Sequence, residues 1–415
     1  MKDYDYGIIG GGPAGYTAGI LLARQGYSVI LFEKDKLGGT CLNRGCIPTK
    51  SLLHYSGIYS AAQKAAAGGL FTGNVSFDFA KIIEKKDYTV EKIRKSLESE
   101  VKKSGVTVVY AGAFIKEAGT IRAESQEYHA DKILWAAGSK PRKIKGLEFD
   151  GEFILSSDDV LNLPKLPKSV LIIGSGAIGT EWARIFADFN IDVSIVETAE
   201  HLIPAADIDV SKRLERIFRQ KKIKFYLKDG IHKISGRIAV LTSGIEIEPD
   251  FILVAAGREP VRTEYTDNIS VLGDSAGEIM LAHYAISQAK EFALNIPCDK
   301  NLIPSVIYGE PEIAWAGLRE QDCDETYTKT LLPLTALGKA WCDDSIDGFI
   351  KVITKDNLIC GAHIISKEAS SLIHTLLAAM RGGIKIDYLK QMCFAHPSYS
   401  EGIFDVLMRA GANKS

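Results

Sequence analysis

The stretch Tyr6-Gly-Ile-Ile-Gly10-Gly-Gly12-Pro-Ala-Gly15 decides the fold of this chain. A short apolar strand runs into Gly-x-Gly-x-x-Gly, a helical pattern follows over 16–25, and a second apolar strand over 28–32 ends at Glu33. In such a unit the first glycine permits a tight turn, the second lets a pyrophosphate approach the backbone, and the third lets helix and strand pack closely. The helix N-terminus faces the phosphates, and the acidic residue accepts hydrogen bonds from a ribose. The stretch predicts a dinucleotide site.

The same pattern occurs a second time, at Val170-Leu-Ile-Ile-Gly174-Ser-Gly176-Ala-Ile-Gly179. A helical pattern follows to about residue 189, and a strand over 192–196 ends at Glu197. In both copies the acidic residue lies 23 positions after the first glycine. A lone Gly-x-Gly-x-x-Gly is a weak signal, because any glycine-rich turn can supply it. Two matching spacings in matching strand–helix–strand contexts predict two dinucleotide sites.

The two copies also end alike. Lys132-Ile-Leu-Trp-Ala-Ala-Gly138-Ser-Lys-Pro141 matches Phe251-Ile-Leu-Val-Ala-Ala-Gly257-Arg-Glu-Pro260. The first copy is longer by about 45 residues, and these extra residues hold a pair of closely spaced cysteines.

The cysteine pair lies in Gly38-Gly39-Thr40-Cys41-Leu-Asn-Arg-Gly45-Cys46-Ile-Pro48-Thr-Lys50. Because proline is favoured early in a helix, a helix is expected over about 49–67, with Cys46 near its N-terminus. The helix dipole and the nearby Arg44 and Lys50 would all favour a thiolate at Cys46. Two cysteines with four residues between them form a small ring that can open and close by thiol–disulfide exchange. The pair is therefore predicted to be redox-active, the alternative being two inert buried thiols.

This cysteine motif resembles that of the flavin-dependent pyridine-nucleotide disulfide oxidoreductases, and within that family it most resembles the branch that oxidises dihydrolipoamide. The resemblance covers nearly the whole chain. Besides the glycine motifs it includes Val271-Leu-Gly273-Asp274, Met280-Leu-Ala282-His283, Ile303-Pro-Ser-Val-Ile-Tyr308 and His396-Pro-Ser-Tyr-Ser-Glu401.

The resemblance implies FAD in the first dinucleotide unit and NAD in the second. The positions that it assigns to FAD are Gly10, Gly12, Gly15, Glu33, Lys50, Gly138, Gly273, Asp274 and Ala282. Those that it assigns to the nicotinamide cofactor are Gly174, Gly176, Gly179, Glu197 and Gly257. A carboxylate at Glu197 accepts from a ribose 2′-OH and repels a 2′-phosphate, and no arginine follows it at once, so NAD is expected over NADP. No metal site is expected.

The resemblance also implies the reacting groups. Cys41 and Cys46 would form the redox disulfide, with Lys50 and Glu181 as an ion pair beside the flavin. His396 would be the base that takes the proton from a substrate thiol, oriented by Glu401 and reaching the cysteines of a partner subunit. Electrons would pass from Cys46 through FAD to NAD⁺. Glu401 has a second interpretation, because Ser398-x-x-Glu401 also fits a helix capping box before 402–410.

The expected fold is α/β, with two Rossmann-like dinucleotide-binding domains and a C-terminal α+β dimerisation domain. The FAD domain is expected at 1–142 and 262–302, the NAD domain at 150–260, and the interface domain at 303–415. Segment 79–103 is charged and has helical periodicity, which predicts a solvated helix on the FAD domain.

Several positions depart from the pattern of the resembled family. Only twelve residues separate Pro260 from Gly273, where relatives have a few tens more. Ala177 stands where relatives often carry a larger residue over the flavin, which implies a less gated nicotinamide pocket. Ala137 and Leu272 also replace more usual residues. None of these changes removes a proposed reacting group.

Composition limits the partners. The chain has 50 Lys and Arg against 52 Asp and Glu, so its net charge of −2 gives no reason to expect nucleic acid. No apolar run approaches the length of a membrane span. The seven scattered cysteines and the absence of a recognisable targeting signal favour a cytoplasmic protein, an organelle protein without its transit peptide being the alternative.

The resemblance implies a homodimer that oxidises the lipoyl-bearing protein of a 2-oxo acid dehydrogenase or glycine-cleavage system. Two alternatives remain at this stage. One is a reductase of another disulfide, such as glutathione, and the other is a non-catalytic flavoprotein subunit of a multienzyme complex.

Overall fold

The computed structural model describes residues 3–264 and 269–412. In its first part, up to residue 141, a strand–helix–strand unit is followed by three helices and then by five further strands. The strands are β1 (Asp3–Ile9), β2 (Val29–Phe32), β3 (Thr107–Val109), β4 (Ala113–Glu117), β5 (Thr120–Ala123), β6 (Gln126–Trp135) and β7 (Ser139–Pro141). The helices are α1 (Pro13–Arg24), α2 (Gly39–Arg44), α3 (Cys46–Ala67) and α4 (Phe79–Lys103).

The second part, up to residue 260, contains a second strand–helix–strand unit. Its strands are β8 (Ile154–Leu155), β9 (Ser169–Ile173), β10 (Asp192–Glu197), β11 (Lys224–Leu227), β12 (Ile231–Ser235), β13 (Ile238–Leu241), β14 (Glu246–Ile247), β15 (Phe251–Val254) and β16 (Arg258–Pro260). Its helices are α5 (Ala177–Asp188) and α6 (Ile208–Gln220), with a 3-10 turn at Val160–Asn162.

The remaining residues complete the first sheet and build a third unit. The strands are β17 (Ile269–Val271), β18 (Ser305–Ile307), β19 (Glu312–Gly317), β20 (Thr328–Pro333), β21 (Phe349–Lys355) and β22 (Leu358–Ser366). The helices are α7 (Ala282–Leu294), α8 (Gly338–Cys342), α9 (Ala369–Gly382), α10 (Ile386–Leu389) and α11 (Glu401–Ala412). Short 3-10 turns lie at Gly273–Ala276, Lys300–Leu302, Glu320–Asp322 and Leu334–Ala336.

Two sheets carry the two glycine motifs; the second is parallel throughout, whereas in the first β4, β5 and β6 pair antiparallel. The first has the order β3-β2-β1-β6-β5-β4, with β17 parallel to β6, and the second has the order β11-β10-β9-β15-β8. In each sheet the strand before the glycine motif is central and the strand that ends in the acidic residue is its parallel neighbour. The third unit has a five-stranded antiparallel sheet, in the order β18-β19-β22-β21-β20. The expected α/β class is thus confirmed, while the domain boundaries remain a prediction.

The helix after each glycine motif packs closely against the turn before it. A Cβ atom on Gly15 would lie 1.8 Å from the carbonyl oxygen of Gly10, and one on Gly179 would lie 2.0 Å from that of Gly174. Helix α1 begins at Pro13, three residues before the start expected from periodicity, because proline is already set for the first helical position. Gly15 is therefore inside the helix, and its missing side chain permits the close approach.

The predicted charged helix over 79–103 forms with those bounds as α4. It is not solvated throughout, because Lys86 is buried and donates a hydrogen bond to the carbonyl oxygen of Leu161 over 2.8 Å. Lys86 therefore ties α4 to the 3-10 turn of the second unit.

The shortened segment after β16 is anchored at both of its described ends. The Val261 N–H donates to the Gly138 oxygen, and the Trp135 indole N–H donates to the Val261 oxygen over 2.8 Å. Strand β17 then pairs with β6. Residues 265–268 lie outside the described part, so the expected effect of the shortening on the cofactor cleft stays a prediction. No helix within residues 3–264 and 269–412 combines the length and apolar character needed to cross a bilayer.

A buried ammonium group joins the second and third units. Lys351 on β21 is 1% exposed, and its Nζ lies 2.7 Å from Asp207, 2.7 Å from Asp209 and 2.5 Å from Glu320. The three carboxylates converge on this single cation, which fills the space between them. Removal of the ammonium would leave like charges close together without compensation.

We therefore expect Lys351→Met to lower the free energy of unfolding by about 3–5 kcal/mol, the range for a buried ion pair that loses one partner. Thermal and urea denaturation of the full chain measure this effect. The matched control is Lys329→Met, since Lys329 lies 3.7 Å from Glu320 but is a third exposed, where such a pair contributes at most about 1 kcal/mol. If the two substitutions lowered the free energy of unfolding equally, the assignment of Lys351 as a buried charge that neutralises three carboxylates would be contradicted.

Candidate active site

The cysteine pair lies where two helices meet. Cys41 lies in the short helix α2, and Cys46 is the first residue of α3, three residues earlier than the predicted helix start. Gly45 separates the two helices with a backbone conformation that belongs to neither. Both cysteines are half-buried free thiols, which is the reduced form of the pair. The expected place of Cys46 at a helix N-terminus is thus observed.

The surroundings of the two thiols separate their pKa values. A hydrogen bond from the Cys41 thiol and the ammonium of Lys50 lower the pKa of Cys46 to about 7, against burial and the Glu181 carboxylate, which act to raise it. The pKa of Cys41 is raised by its hydrogen bond to Cys46, by burial and by the negative charge of Cys46. The pair therefore loses its first proton from Cys46, which ionises near neutral pH.

Arg44 does not contribute to this thiolate as expected. Its guanidinium lies 2.8 Å from Asp35 and 3.5 Å from Asp158. Asp35 follows β2, and Asp158 lies between β8 and the 3-10 turn of the second unit. Neither belongs to the cysteine motif, so the spacing of that motif could not reveal them. The expectation that Arg44 favours the thiolate is therefore not supported, whereas that for Lys50 is.

Lys50 and Glu181 form the predicted ion pair. The Lys50 Nζ lies 2.8 Å from both carboxylate oxygens of Glu181. Glu181 is 5% exposed on α5, and Lys50 is 31% exposed on α3, one turn beyond Cys46. The contact therefore joins the cysteine segment to the second dinucleotide unit. Its role in the reaction remains a prediction.

Both glycine loops leave open space where a diphosphate would lie. A Cβ atom on Gly12 would meet only the Gly39 Cα at 3.9 Å, and one on Gly176 would meet nothing within 4 Å. Each of these glycines directly precedes a helix, so free N–H groups face that space. The expected binding of two dinucleotides therefore fits the residues present.

Each acidic residue is held by backbone N–H groups of its own loop. Glu33 accepts from Gly11 over 2.8 Å and from Asp35 over 2.8 Å. Glu197 accepts from the Ser175 N–H at 2.9 Å and hydroxyl at 2.8 Å. Burial acts to raise the pKa of Glu197, but the N–H groups of Ala199 and Ser175 outweigh it and lower the pKa. The residue that would select NAD is thus a fixed carboxylate.

A polar chain connects the ends of the two units beside the expected flavin position. The Ser139 hydroxyl donates to Asp274 over 2.5 Å, and Arg258 donates to the Ser139 hydroxyl over 2.7 Å. The Gly138 N–H donates to the Ser275 hydroxyl over 2.7 Å. Of the other expected positions, Gly273 donates its N–H to Gln288, Ala282 begins α7, and Gly257 lies against Arg142. Arg258 was not predicted as a site residue.

His396 and Glu401 form the second predicted pair. The His396 Nδ1 lies 2.8 Å from Glu401 Oε1, and the His396 side chain is 78% exposed. The other oxygen of Glu401 accepts from the Ser398 N–H over 2.9 Å, which is half of a capping box. This N–H, together with His396, lowers the pKa of Glu401. Glu401 therefore contacts both His396 and the Ser398 backbone, while its role in the reaction remains a prediction.

The histidine pair is separate from the cysteines of its own chain. In the described residues, no hydrogen bond or ion pair connects His396 with Cys41 or Cys46. The sequence reasoning also missed Tyr308, whose N–H donates to Glu181 over 3.0 Å. Its position in the Ile303–Tyr308 motif was the available signal, but nothing local to that motif shows which side chain it meets.

Comparison with protein families gives two matches. Residues 4–267 match the model described as pyridine nucleotide-disulphide oxidoreductase, and residues 303–406 match the dimerisation domain of the same group. A protein from Bacillus subtilis named dihydrolipoyl dehydrogenase is 32% identical, with 98% of each chain covered. A mitochondrial dihydrolipoyl dehydrogenase from Pisum sativum is also 32% identical, with 97% of this chain and 91% of the relative covered.

Solved structures agree in fold. The crystal structure of LpdA from Mycobacterium tuberculosis superposes with a TM-score of 0.89 at 22% identity, and covers 99% of both chains. The Cu(II) complex of the HOCl-induced flavoprotein disulfide reductase RclA from Escherichia coli gives a TM-score of 0.87 at 25% identity, with 99% of this chain and 100% of that chain covered.

We expect the reduced protein to gain one thiolate with a midpoint near pH 7, because the pKa of Cys46 is lowered. The difference in ultraviolet thiolate absorbance between the dithiol-reduced and the oxidised protein, followed across pH, isolates this pair, since the other five cysteines contribute equally to both forms. Lys50→Met removes the cation and leaves Glu181 uncompensated, so the midpoint should rise by about one pH unit or more.

The control for this titration is Lys64→Met, which changes an exposed lysine on the same helix α3. It should leave the midpoint unchanged. A wild-type midpoint near that of an ordinary thiol, or equal shifts in the two lysine variants, would contradict the electrostatic account of Cys46.

Proposed function

Because the chain belongs to the pyridine nucleotide-disulphide oxidoreductases, we propose that it oxidises protein-bound dihydrolipoamide to lipoamide with NAD⁺. As a member of this family it is an oxidoreductase that uses FAD and NAD. The observation that carries the proposal is the Cys41–Cys46 pair, in which Cys46 has a lowered pKa and Lys50 is held next to it by Glu181. The names of the full-length relatives at about 32% identity support dihydrolipoamide as the substrate.

The first glycine loop and Glu33 would hold FAD, and the second loop and Glu197 would hold NAD. Gly138, Asp274 and Ala282 would complete the flavin side, with Gly273 shaping the turn before Asp274, and Gly257 would complete the nicotinamide side. When bound, FAD supplies the two-electron chemistry that connects the dithiol with the nicotinamide. The residues of this chain bind and orient the cofactors and the substrate, and they move protons.

The sulfur chemistry begins with proton removal. The Nδ1–H of His396 donates to Glu401, which leaves Nε2 free to accept the proton of a substrate thiol. The resulting thiolate attacks the Cys41 sulfur of the Cys41–Cys46 disulfide, the bond between the two cysteines breaks, and its electron pair stays on Cys46 as thiolate. The second substrate thiol then attacks the mixed disulfide, its proton passes to the Cys41 sulfur, which leaves as a thiol, and oxidised lipoamide is released. Lys50 stabilises the negative charge on Cys46 throughout.

We also propose that two chains share each site. The exposure of His396, the absence in the described residues of a hydrogen bond or ion pair from it to Cys41 or Cys46, and the match of 303–406 to a dimerisation domain support a homodimer. In this arrangement residues 1–142 and 262–302 hold FAD, 150–260 hold NAD, and 303–415 form the interface. The partner would be the lipoyl protein of a 2-oxo acid dehydrogenase or glycine-cleavage system, in the cytoplasm.

A second candidate function is the reduction of another disulfide by a nicotinamide cofactor. The structural likeness to the flavoprotein disulfide reductase RclA, at 25% identity over nearly the whole chain, favours it. The same cysteine chemistry would run in the opposite direction. The direction and the substrate therefore have to be measured together.

The first test is NAD⁺ reduction by dihydrolipoamide, with NADP⁺ and reduced glutathione in parallel. We expect rapid NADH formation from dihydrolipoamide and NAD⁺ alone, because Glu197 disfavours a 2′-phosphate. Cys41→Ser and Cys46→Ser should each abolish turnover while FAD stays bound. Cys342→Ser, at an exposed cysteine outside the site, is the control. Turnover of dihydrolipoamide that persists in either site variant would overturn the assignment.

His396→Gln should lower kcat by roughly 10²–10⁴-fold, the usual contribution of a general base. His374→Gln, at an exposed histidine of α9, should leave kcat within twofold of the wild type. Steady-state kinetics with dihydrolipoamide measure both.

Co-expression of Cys46→Ser chains with His396→Gln chains tests whether the site is shared. A mixed dimer then contains one site with both lesions and one intact site, so activity should return. If each site lies within one chain, every site carries a lesion and no activity returns.

A further inference from the structure

Tyr308 contacts both members of the Lys50–Glu181 ion pair. It directly follows β18 of the third unit, and its N–H donates to Glu181 Oε1 over 3.0 Å. The Lys50 Nζ lies 4.8 Å from the centre of its ring, within the range of a cation–π contact. Burial raises the pKa of the Tyr308 hydroxyl although Lys50 opposes this, so the ring stays neutral. One residue thus orients the carboxylate with its backbone and the ammonium with its side chain.

Arg184 fixes the loop that carries Tyr308. It lies on α5, three residues after Glu181, and it is 1% exposed. Its Nη1 donates to the carbonyl oxygens of Tyr308 at 3.1 Å and of Pro311 at 2.7 Å. A Cβ on Gly309 would lie 2.5 Å from the same nitrogen, so glycine is needed between them. Glu181 and Arg184 lie on the same face of α5, and both form hydrogen bonds with the loop that carries Tyr308.

Orientation matters because Lys50 and Glu181 act on Cys46 in opposite directions. Lys50 lowers the pKa of Cys46 and Glu181 raises it. The net effect depends on which of the two charges lies nearer to the sulfur, not on the total charge. Lys50 is a third exposed, so its flexible side chain could otherwise turn towards water. A ring over the ammonium restricts that freedom.

We propose that Tyr308 is a positioning residue of the redox site, whose ring holds the Lys50 ammonium between Glu181 and Cys46. The third unit would thus act on the cysteines of its own chain, in addition to the part given to His396. The inference concerns the charge state of Cys46 and rests on the proposed function only for its effect on turnover. The charged and titratable groups that face Cys46 are Cys41, Lys50, Glu181, Arg258 and Tyr308 itself.

The test compares Tyr308→Leu with Tyr308→Phe in the FAD-loaded protein, using the thiolate titration of the reduced minus the oxidised form. The leucine variant loses the π face and should raise the thiolate midpoint by about half to one pH unit, less than Lys50→Met does. The phenylalanine variant keeps the ring and should coincide with the wild type. Tyr388→Leu, at an exposed tyrosine of the same unit, is the control and should have no effect.

A second variant separates packing from electrostatics. Pentafluorophenylalanine at position 308 keeps the shape of the ring but removes the negative potential of its face, so it should shift the midpoint in the same direction as leucine. A midpoint unchanged in both the leucine and the fluorinated variants would overturn the proposal. So would a Lys50→Met midpoint equal to the wild type, because Tyr308 acts through Lys50.

The titration needs no substrate, so the two hypotheses can fail separately. A shifted midpoint in Tyr308→Leu together with no dihydrolipoamide turnover by the wild type would support the positioning role and overturn the proposed substrate. Dihydrolipoamide turnover by the wild type, together with an unshifted thiolate midpoint in Tyr308→Leu, would support the proposed substrate and overturn the positioning role.

Discussion

The close contact between helix α5 and the turn before it, at Gly179, is the constraint on which most of this structure depends. Because no Cβ intervenes, the helix lies directly against the strand end. Two residues later Glu181 holds Lys50, and three residues after that Arg184 holds the loop of Tyr308 and Pro311. If α5 lay in a slightly different position, Glu181 could not hold Lys50 beside Cys46, and Arg184 could not hold the loop of the third unit.

The equivalent helix of the first unit has the same contact at Gly15 but carries no such side chains. It has Thr17 and Ile20 where α5 has Glu181 and Arg184, and it packs against α7. The two units therefore share the same glycine contact between helix and turn, but the helices carry different side chains. One copy presents a glycine loop, whereas the other presents such a loop and also carries the carboxylate that holds Lys50.

The sequence was sufficient for features that depend on local geometry. The two glycine loops, the acidic residue at each strand end, helix α4 and the start of the cysteine helix all follow from spacing and periodicity, with boundaries within about three residues. The pairs Lys50–Glu181 and His396–Glu401 came from resemblance to a family, and the structure brings each pair together at 2.8 Å. Their chemical roles are a separate matter that distances alone do not decide.

Other features could not be predicted because they join segments that are far apart in the chain. Arg44 meets Asp158, Lys86 meets Leu161, and Lys351 meets Asp207 across 144 residues. Each of these side chains is charged, so a sequence pattern places it in solvent by default. Only the tertiary fold shows that its partner is another buried or half-buried group.

The pairing of β7 with β16 has a consequence for how the two nucleotide units are connected. The chain leaves the first unit through β7 and returns through β16, and these strands lie side by side in antiparallel register. The second unit is thus an insertion whose entry and exit points touch. Because the ends of the inserted unit are adjacent, the insertion adds little loop-closure entropy to the folding of the first unit. The two segments of the first unit are joined across a distance no wider than a hairpin. The chain is therefore one nucleotide-binding unit inserted into another, and the antiparallel pair of β7 and β16 joins the two.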